Sequence, residues 1–222
     1  MTSQLYMDDM SGLARSQRWQ RRKDARPAEL LDAALAEFFE KGFAAARLED
    51  IAARAGVSKG TIYLYFGSKD EMFEALVRAI PQANVETARA IASDASVPAP
   101  ELMRRLLQFM GVLIRDERMQ KFPRLIISEG GRFPKLAETY KREVIARGVG
   151  IMSAVIERGI AEGAFRKVDV RKAAFAAIAP LLFTAIWKTT FERFEEEPFD
   201  HEGFVAQHID TFLRGIMRER DT

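Results

Sequence analysis

The chain has 222 residues, 48% hydrophobic and 30% charged, an ordinary soluble mix that allows one large domain or two modest ones. It contains no cysteine, which excludes disulfides, thiolate catalysis and cysteine zinc sites and suits a reducing cytoplasm. Net charge is only +2, and residues 1–80 hold twelve Lys or Arg against twelve Asp or Glu. Bulk basicity therefore gives no sign of nucleic acid; only the placement of charge can.

The first 24 residues hold no apolar run and no small-residue cleavage site, so no secretory signal is expected. Residues 1–26 read as a flexible arm in which Arg15, Arg18, Arg21, Arg22, Lys23 and Arg26 stand against Asp24. Such an arm can track a DNA backbone or reach a minor groove. A solvated tail explains the same charges.

From Pro27 to Lys41 the residues Leu30, Leu31, Ala34, Leu35, Phe38 and Phe39 form one helical stripe, with Pro27 suited to the first position and Gly42 to the residue that ends the helix. A short helix follows over Arg47–Arg54 and breaks at Gly56. A second begins near Ser58, and a third follows Gly67, where Ser68 and Glu71 form a capping box. That third helix is expected to run through Phe73, Leu76 and Val77 until Pro81. The segment Ile62–Phe66 has strong β-propensity, but no second strand alternates convincingly enough to pair with it, so helix is expected.

Beyond a loop ending at Pro98 and Pro100, longer helices are expected at about 100–116, 118–128, 134–162, 169–195 and 202–219. The apolar run Ala173–Trp187 is shorter than the roughly 20 residues a spanning helix needs and carries Pro180, so a buried helix and no membrane are expected. The fold class is all-α: an arm over 1–26, a helix-turn-helix domain over 27–80 and a larger helical domain over 81–222.

The segment Ile51–Phe66 carries the chemistry. Two short helices that cross steeply need a small residue where they touch, and Ala52 supplies it. The turn needs left-handed geometry, which Gly56 tolerates, and Val57 and Ile62 are spaced to plug the junction. A purely structural helix pair would show the same pattern. Charge placement favours DNA: Lys59 and Lys69 lie in first turns, where the helix dipole disfavours a cation unless an anion such as phosphate joins it. Gly60 sits inside a helix at a cost of about 1 kcal/mol against alanine, which close approach of the backbone to DNA would explain.

With RPAELLDAALAEFFEKGF before it, IAARAG followed by VSKGTIYLYFGSKDEMFEAL closely resembles the DNA-binding domain of TetR/AcrR-family regulators over about residues 26–80. The stretch FPRLIISEGGRFPKLAETYKREV is similar, more weakly, to the effector domain of some members. The resemblance implies that residues 58–64 enter the major groove, with Ser58, Lys59, Gly60, Thr61 and Tyr63 at DNA and Tyr65 and Lys69 at phosphates. Phe66 and Ile62 would hold the helices together. Many members carry a capping threonine where this chain has Ala46; Arg47 is the expected substitute contact.

A reader of this kind binds two half-sites as a dimer. Helices 169–195 and 202–219 are the expected interface, through Ala174, Ile178, Leu181, Leu182, Phe204 and Phe212. The family resemblance also implies a small-molecule pocket, for which Phe109, Met110, Phe133, Tyr140, Phe183 and Trp187 are candidates; each is equally explicable as plain core. Sparse polar groups point to an apolar effector.

No nucleophile elbow, P-loop or dinucleotide fingerprint is present, and His201 and His208, two turns apart, read as surface histidines rather than metal ligands. No enzyme activity, cofactor or metal is expected. The reading is a homodimeric, cytoplasmic, ligand-responsive repressor that binds a pseudo-palindromic operator. A helical small-molecule-binding protein without specific DNA binding is the alternative.

Overall fold

The structure, a computed structural model, describes residues 27–218, apart from the side chains at 80 and 81. The expected basic arm, the last residues of the final helix and any role for them lie outside the described residues. Among those described there is no strand, only one isolated antiparallel bridge between Phe165 and Met217. The chain divides into two compact units between Leu76 and Val77.

The first unit comprises α1 (residues 27–45), α2 (Leu48–Arg54), α3 (Lys59–Tyr65) and the first two turns of α4 (Lys69–Ala92). Its core is aromatic: Phe38, Phe43 and Phe73 meet with ring centroids 5.2–6.3 Å apart and are almost inaccessible, with Leu30, Ile51, Ile62, Met72 and Leu76 around them. Each such side chain contributes roughly 1.5–3 kcal/mol by burial, so this small unit depends on all of them. Glu37 is buried beside them, where Lys41 neutralises it from its own helix and Arg54 from α2, with Nε 3.1 Å from the carboxylate. Arg54 also bonds Glu40, which latches α2 to α1.

Gly42 has the positive φ of a helix-ending residue, +78°, yet α1 makes one more turn beyond it, to residue 45. The Ser68 hydroxyl accepts the Glu71 amide as a capping box requires, while the Glu71 carboxylate reaches back to the Gly67 amide at 2.9 Å. Helix α4 does not stop at Pro81; it continues through it for a total of 24 residues. Proline inside a helix costs about 3 kcal/mol. Burial of Val77 and Val85 on either side of it works against that cost.

The second unit comprises the rest of α4, α5 (Ala99–Leu113), α6 (Glu117–Glu129), α7 (Pro134–Tyr140), a π-helical turn (Lys141–Ile145), α8 (Ala146–Ala161), α9 (Val170–Thr190), a 3₁₀ turn (Glu192–Phe194) and α10 (His201–Ile216). Helices α5, α8, α9 and α10 enclose its core around Leu102, Leu106, Ile156, Leu181, Ile209 and Leu213. Asp116, Asp169 and Asp200 cap α6, α9 and α10 by accepting first-turn amides. Arg158 pins the loop before α5 by donating to the carbonyls of Asp94, Ala95 and Val97 at 2.7–3.2 Å.

Helix α9 corrects one expectation. It is apolar all round and, by length and composition alone, long enough to cross a membrane, but it is buried on one side only: Ala174, Ala177, Leu181 and Ala185 join the core, while Phe175 and Phe183 are exposed. The two histidines are corrected too. His201 is half-buried against Glu192 at 3.1 Å, and His208 lies 2.8 Å from the Ala177 carbonyl, tying α10 to α9. Among the described residues no three acidic, cysteine or histidine groups gather as for a metal.

Candidate nucleic-acid interface and interior cavity

Helices α2 and α3 meet through Ala52 and Ile62, both sealed from solvent, and the turn between them places Gly56 at φ +66°. The Val57 amide closes that turn onto the Ala52 carbonyl at 2.9 Å. Ser58 then caps α3: its hydroxyl accepts the Thr61 amide at 3.2 Å and lies 2.8 Å from the Thr61 hydroxyl. This fixes a seven-residue helix with one buried side chain, Ile62, and an opposite face exposed.

On that face stand Lys59, Gly60, Tyr63 and Leu64, with Thr61 and Tyr65 half-buried beside them. Lys59 is not the solitary first-turn cation that its position suggested. Its ammonium lies 2.7 Å from Glu49 of α2 and 5.9 Å from the Tyr63 ring centre, and the Tyr63 hydroxyl donates to the same carboxylate at 3.2 Å. The Lys59 ammonium and a backbone amide hold the Glu49 carboxyl down to about 2, so it stays charged wherever the protein is folded near neutral pH. Glu49 thus orders two side chains of the exposed face of α3, and sequence reading assigned it no role. Its only signal was an acid in the first turn of α2, which the helix dipole already explains.

A Cβ at Gly60 would meet nothing nearer than the Ser58 hydroxyl at 3.9 Å, so the folded protein itself does not require glycine there. Leu64, 83% exposed, is a second missed residue.

Lys69, expected at a phosphate, is instead engaged within the protein. Its ammonium donates to the carbonyls of Phe43, Ala44 and Ala46 at 2.6, 3.0 and 3.1 Å and lies 4.7 Å from the Phe43 ring centre. It neutralises the negative end of α1, which answers the question of what anion joins it. Arg47 is the N-cap residue of α2 and is exposed; its side chain does not cap the helix and forms no ion pair among the described residues. Ala46 is buried.

The second unit holds a cavity of about 230 Å³, partly open to solvent, bounded by α4, α5, α6, the turn after α7, α8 and α9. Phe109, Met110 and Tyr140 line it, as expected; Phe133, Phe183 and Trp187 do not. Phe133 begins α7 beside Arg132, while Phe183 is 52% exposed and Trp187 packs on Phe183, Phe191 and Phe199. The residues expected at a dimer interface largely face inward. Ala174, Leu181 and Phe212 belong to the core, Ile178 and Leu182 line the cavity, and Phe204 is half-buried against Phe199. The two sets are partly exchanged because a helix apolar on every side gives periodicity nothing to distinguish core, cavity and outer faces. Along one side of α9 Ala176 and Phe183 are exposed, with half-buried Trp187 beyond them, while Ala179 between them lines the cavity.

The comparisons agree with this division. Residues 30–76 match the model for bacterial regulatory proteins of the tetR family, and residues 100–215 match the C-terminal domain of AefR-like transcriptional repressors. The chain is 34% identical over 100 residues to the HTH-type transcriptional regulator TtgR of Pseudomonas putida, a match that spans 45% of this chain and about half, 48%, of that protein. It is 29% identical over 159 residues to the P. putida regulator ArpR, spanning 68% of this chain and 74% of that one. Among solved structures, FadR of Bacillus subtilis in complex with stearoyl-CoA superposes with a TM-score of 0.68 at 20% identity, over 85% of this chain and 98% of FadR. SmeT, the repressor of the Stenotrophomonas maltophilia efflux pump SmeDEF, superposes with a TM-score of 0.67 at 22% identity, over 87% and 91%. At these identities the likeness shows the fold.

Proposed function

The chain belongs to the tetR family of bacterial regulatory proteins, and from that premise we propose that it is a ligand-responsive repressor that binds a pseudo-palindromic operator as a homodimer. The observation that carries the reading is the exposed face of α3. There Lys59, Gly60 and Tyr63 project from a capped, rigid helix whose glycine answers no need of the fold. Thr61, Tyr63 and Leu64 read base edges; Arg47, Ser58, Lys59 and Tyr65 position the helix on phosphates. On DNA the Lys59 ammonium exchanges Glu49 for phosphate, and Glu49 holds Tyr63 in place. Lys69 supports this surface from within rather than by a phosphate contact of its ammonium.

The homodimer forms through the exposed side of α9, where Ala176 permits close approach and Phe183 supplies the buried aromatic. The cavity is the effector site, and its occupant is an apolar small molecule. Helix α4 carries Lys69 near its start and the cavity residues Asn84, Val85 and Ala88 further on, so an effector acts on a helix that is continuous with the DNA-reading unit. The protein works in the cytoplasm, by binding rather than by catalysis. A purely small-molecule-binding protein would have no use for an exposed Leu64 or an unneeded glycine at position 60.

Selection of bound sequences from random DNA tests this. An inverted repeat is expected, with half-site centres about 34–36 Å apart or a multiple of that. Recovery of no inverted repeat would remove the operator-binding reading.

A further inference from the structure

The cavity wall is chemically uniform. Among the described residues it contains no Lys, Arg, His, Asp or Glu, and the side chains there able to hydrogen-bond strongly are Asn84 and Tyr140. Tyr140 is only 7% exposed and stacks on Phe122, with centroids 6.3 Å apart and planes 19° from parallel. Its hydroxyl makes no hydrogen bond among the described residues, and burial alone pushes its pKa up to about 12, so it remains a neutral donor. The Asn84 amide is occupied only by a weak contact to the Met119 sulfur at 3.5 Å. The hydroxyl of buried Tyr140 and the amide of half-buried Asn84 thus both have hydrogen-bonding capacity left for a ligand. Both lie on the same cavity.

Size narrows the occupant further. A cavity of about 150 Å³ lined by aliphatic and aromatic groups holds benzene. Scaling by volume, about 230 Å³ suits roughly nine or ten heavy atoms, a bicyclic ring or a short-chain phenol. A carboxylate, phosphate or ammonium seated against this apolar wall would lose hydration without gaining a counter-charge.

We propose that the effector is a neutral, largely apolar molecule of about ten heavy atoms carrying a single hydrogen-bonding group, and that the Tyr140 hydroxyl and the Asn84 amide hold that group. This rests on the cavity being the effector site. Tyr140 is then the specificity-determining residue: it distinguishes a hydroxylated aromatic from its bare hydrocarbon, while the absence of charge rejects ionised analogues. The π-helical turn directly after Tyr140 contributes Val144 and Ile145 to the same wall, so the group that senses the ligand adjoins an irregular, deformable segment.

The test uses the full-length protein and four probes of one shape, with binding read by calorimetry at neutral pH: 2-naphthol, naphthalene, 2-naphthoate and 2-naphthylmethylammonium. We expect 2-naphthol to bind about tenfold more tightly than naphthalene, the worth of one neutral hydrogen bond. Both charged probes should be at least about a hundredfold weaker than 2-naphthol. In Tyr140→Phe the advantage of 2-naphthol over naphthalene should vanish while naphthalene itself binds unchanged, which separates a lost anchor from a damaged fold. Either charged probe binding within tenfold of 2-naphthol overturns the neutral class. A 2-naphthol advantage that survives in Tyr140→Phe overturns the anchor, and one undiminished in Asn84→Ala removes Asn84 from it. If neither neutral probe binds at all, the effector-site reading beneath this proposal falls instead.

Discussion

Phe183→Glu is expected to yield a monomer that keeps its fold and loses operator affinity by about a hundredfold or more. Phe183 is 52% exposed on α9, outside both core and cavity, so replacing it removes little that holds one protomer together. At the proposed interface the same ring would be buried beside Ala176, and two glutamates brought together there would meet both like-charge repulsion and desolvation. Linking two half-site readers raises apparent affinity by about 10²–10⁴ through effective concentration, which is the factor a monomer forfeits. Sedimentation velocity reads the assembly, gel shift the affinity, and far-UV melting the fold. A variant that remains dimeric would move the interface off this side of α9.

Gly60→Ala is expected to move stability and binding in opposite directions. The position is helical, φ is not in the left-handed region, and a methyl group there meets nothing within 3.9 Å. Alanine should therefore stabilise α3 by up to about 1 kcal/mol, since glycine in a helix is the more entropically costly residue. Operator affinity should fall by about tenfold or more, because a methyl added on the surface that approaches DNA holds the helix away from it. The measurement is a pair, thermal midpoint and gel-shift affinity on the same preparation. A stabilised variant with unchanged affinity would show that Gly60 does not face DNA.

What could be read from sequence was local. The turn at Gly56, the small residue at Ala52, the helix start near Ser58 and the Ser68–Glu71 box each arise from residues within four positions of one another, and each is present in the structure. The misjudged features depend on residues far apart in sequence. Lys69 reaches back 23–26 residues to the end of α1, and Lys59 finds Glu49 on the preceding helix; in each case a cation that looked unaccompanied already had its counterpart. Helix α9 was misjudged for a different reason. With apolar residues on every side, its sequence specifies burial without saying against what, and core, cavity and outer stripe become distinguishable only once α5, α8 and α10 are in place. Pro81 likewise suggested a helix end, but packing along α4 outweighs one missing backbone hydrogen bond.

The most direct measurement of the central claim is the affinity for the selected inverted repeat, against random DNA of equal length, titrated across salt. Arg47 and Lys59 from two protomers give at least four phosphate neutralisations, so the logarithm of affinity should fall with the logarithm of salt at a slope of about −3.6 or steeper. Between 50 and 200 mM salt that is a loss of about a hundredfold or more, with the inverted repeat preferred throughout. An affinity that changes less than about threefold over that range, or no preference for the repeat, would contradict operator recognition by the exposed face of α3.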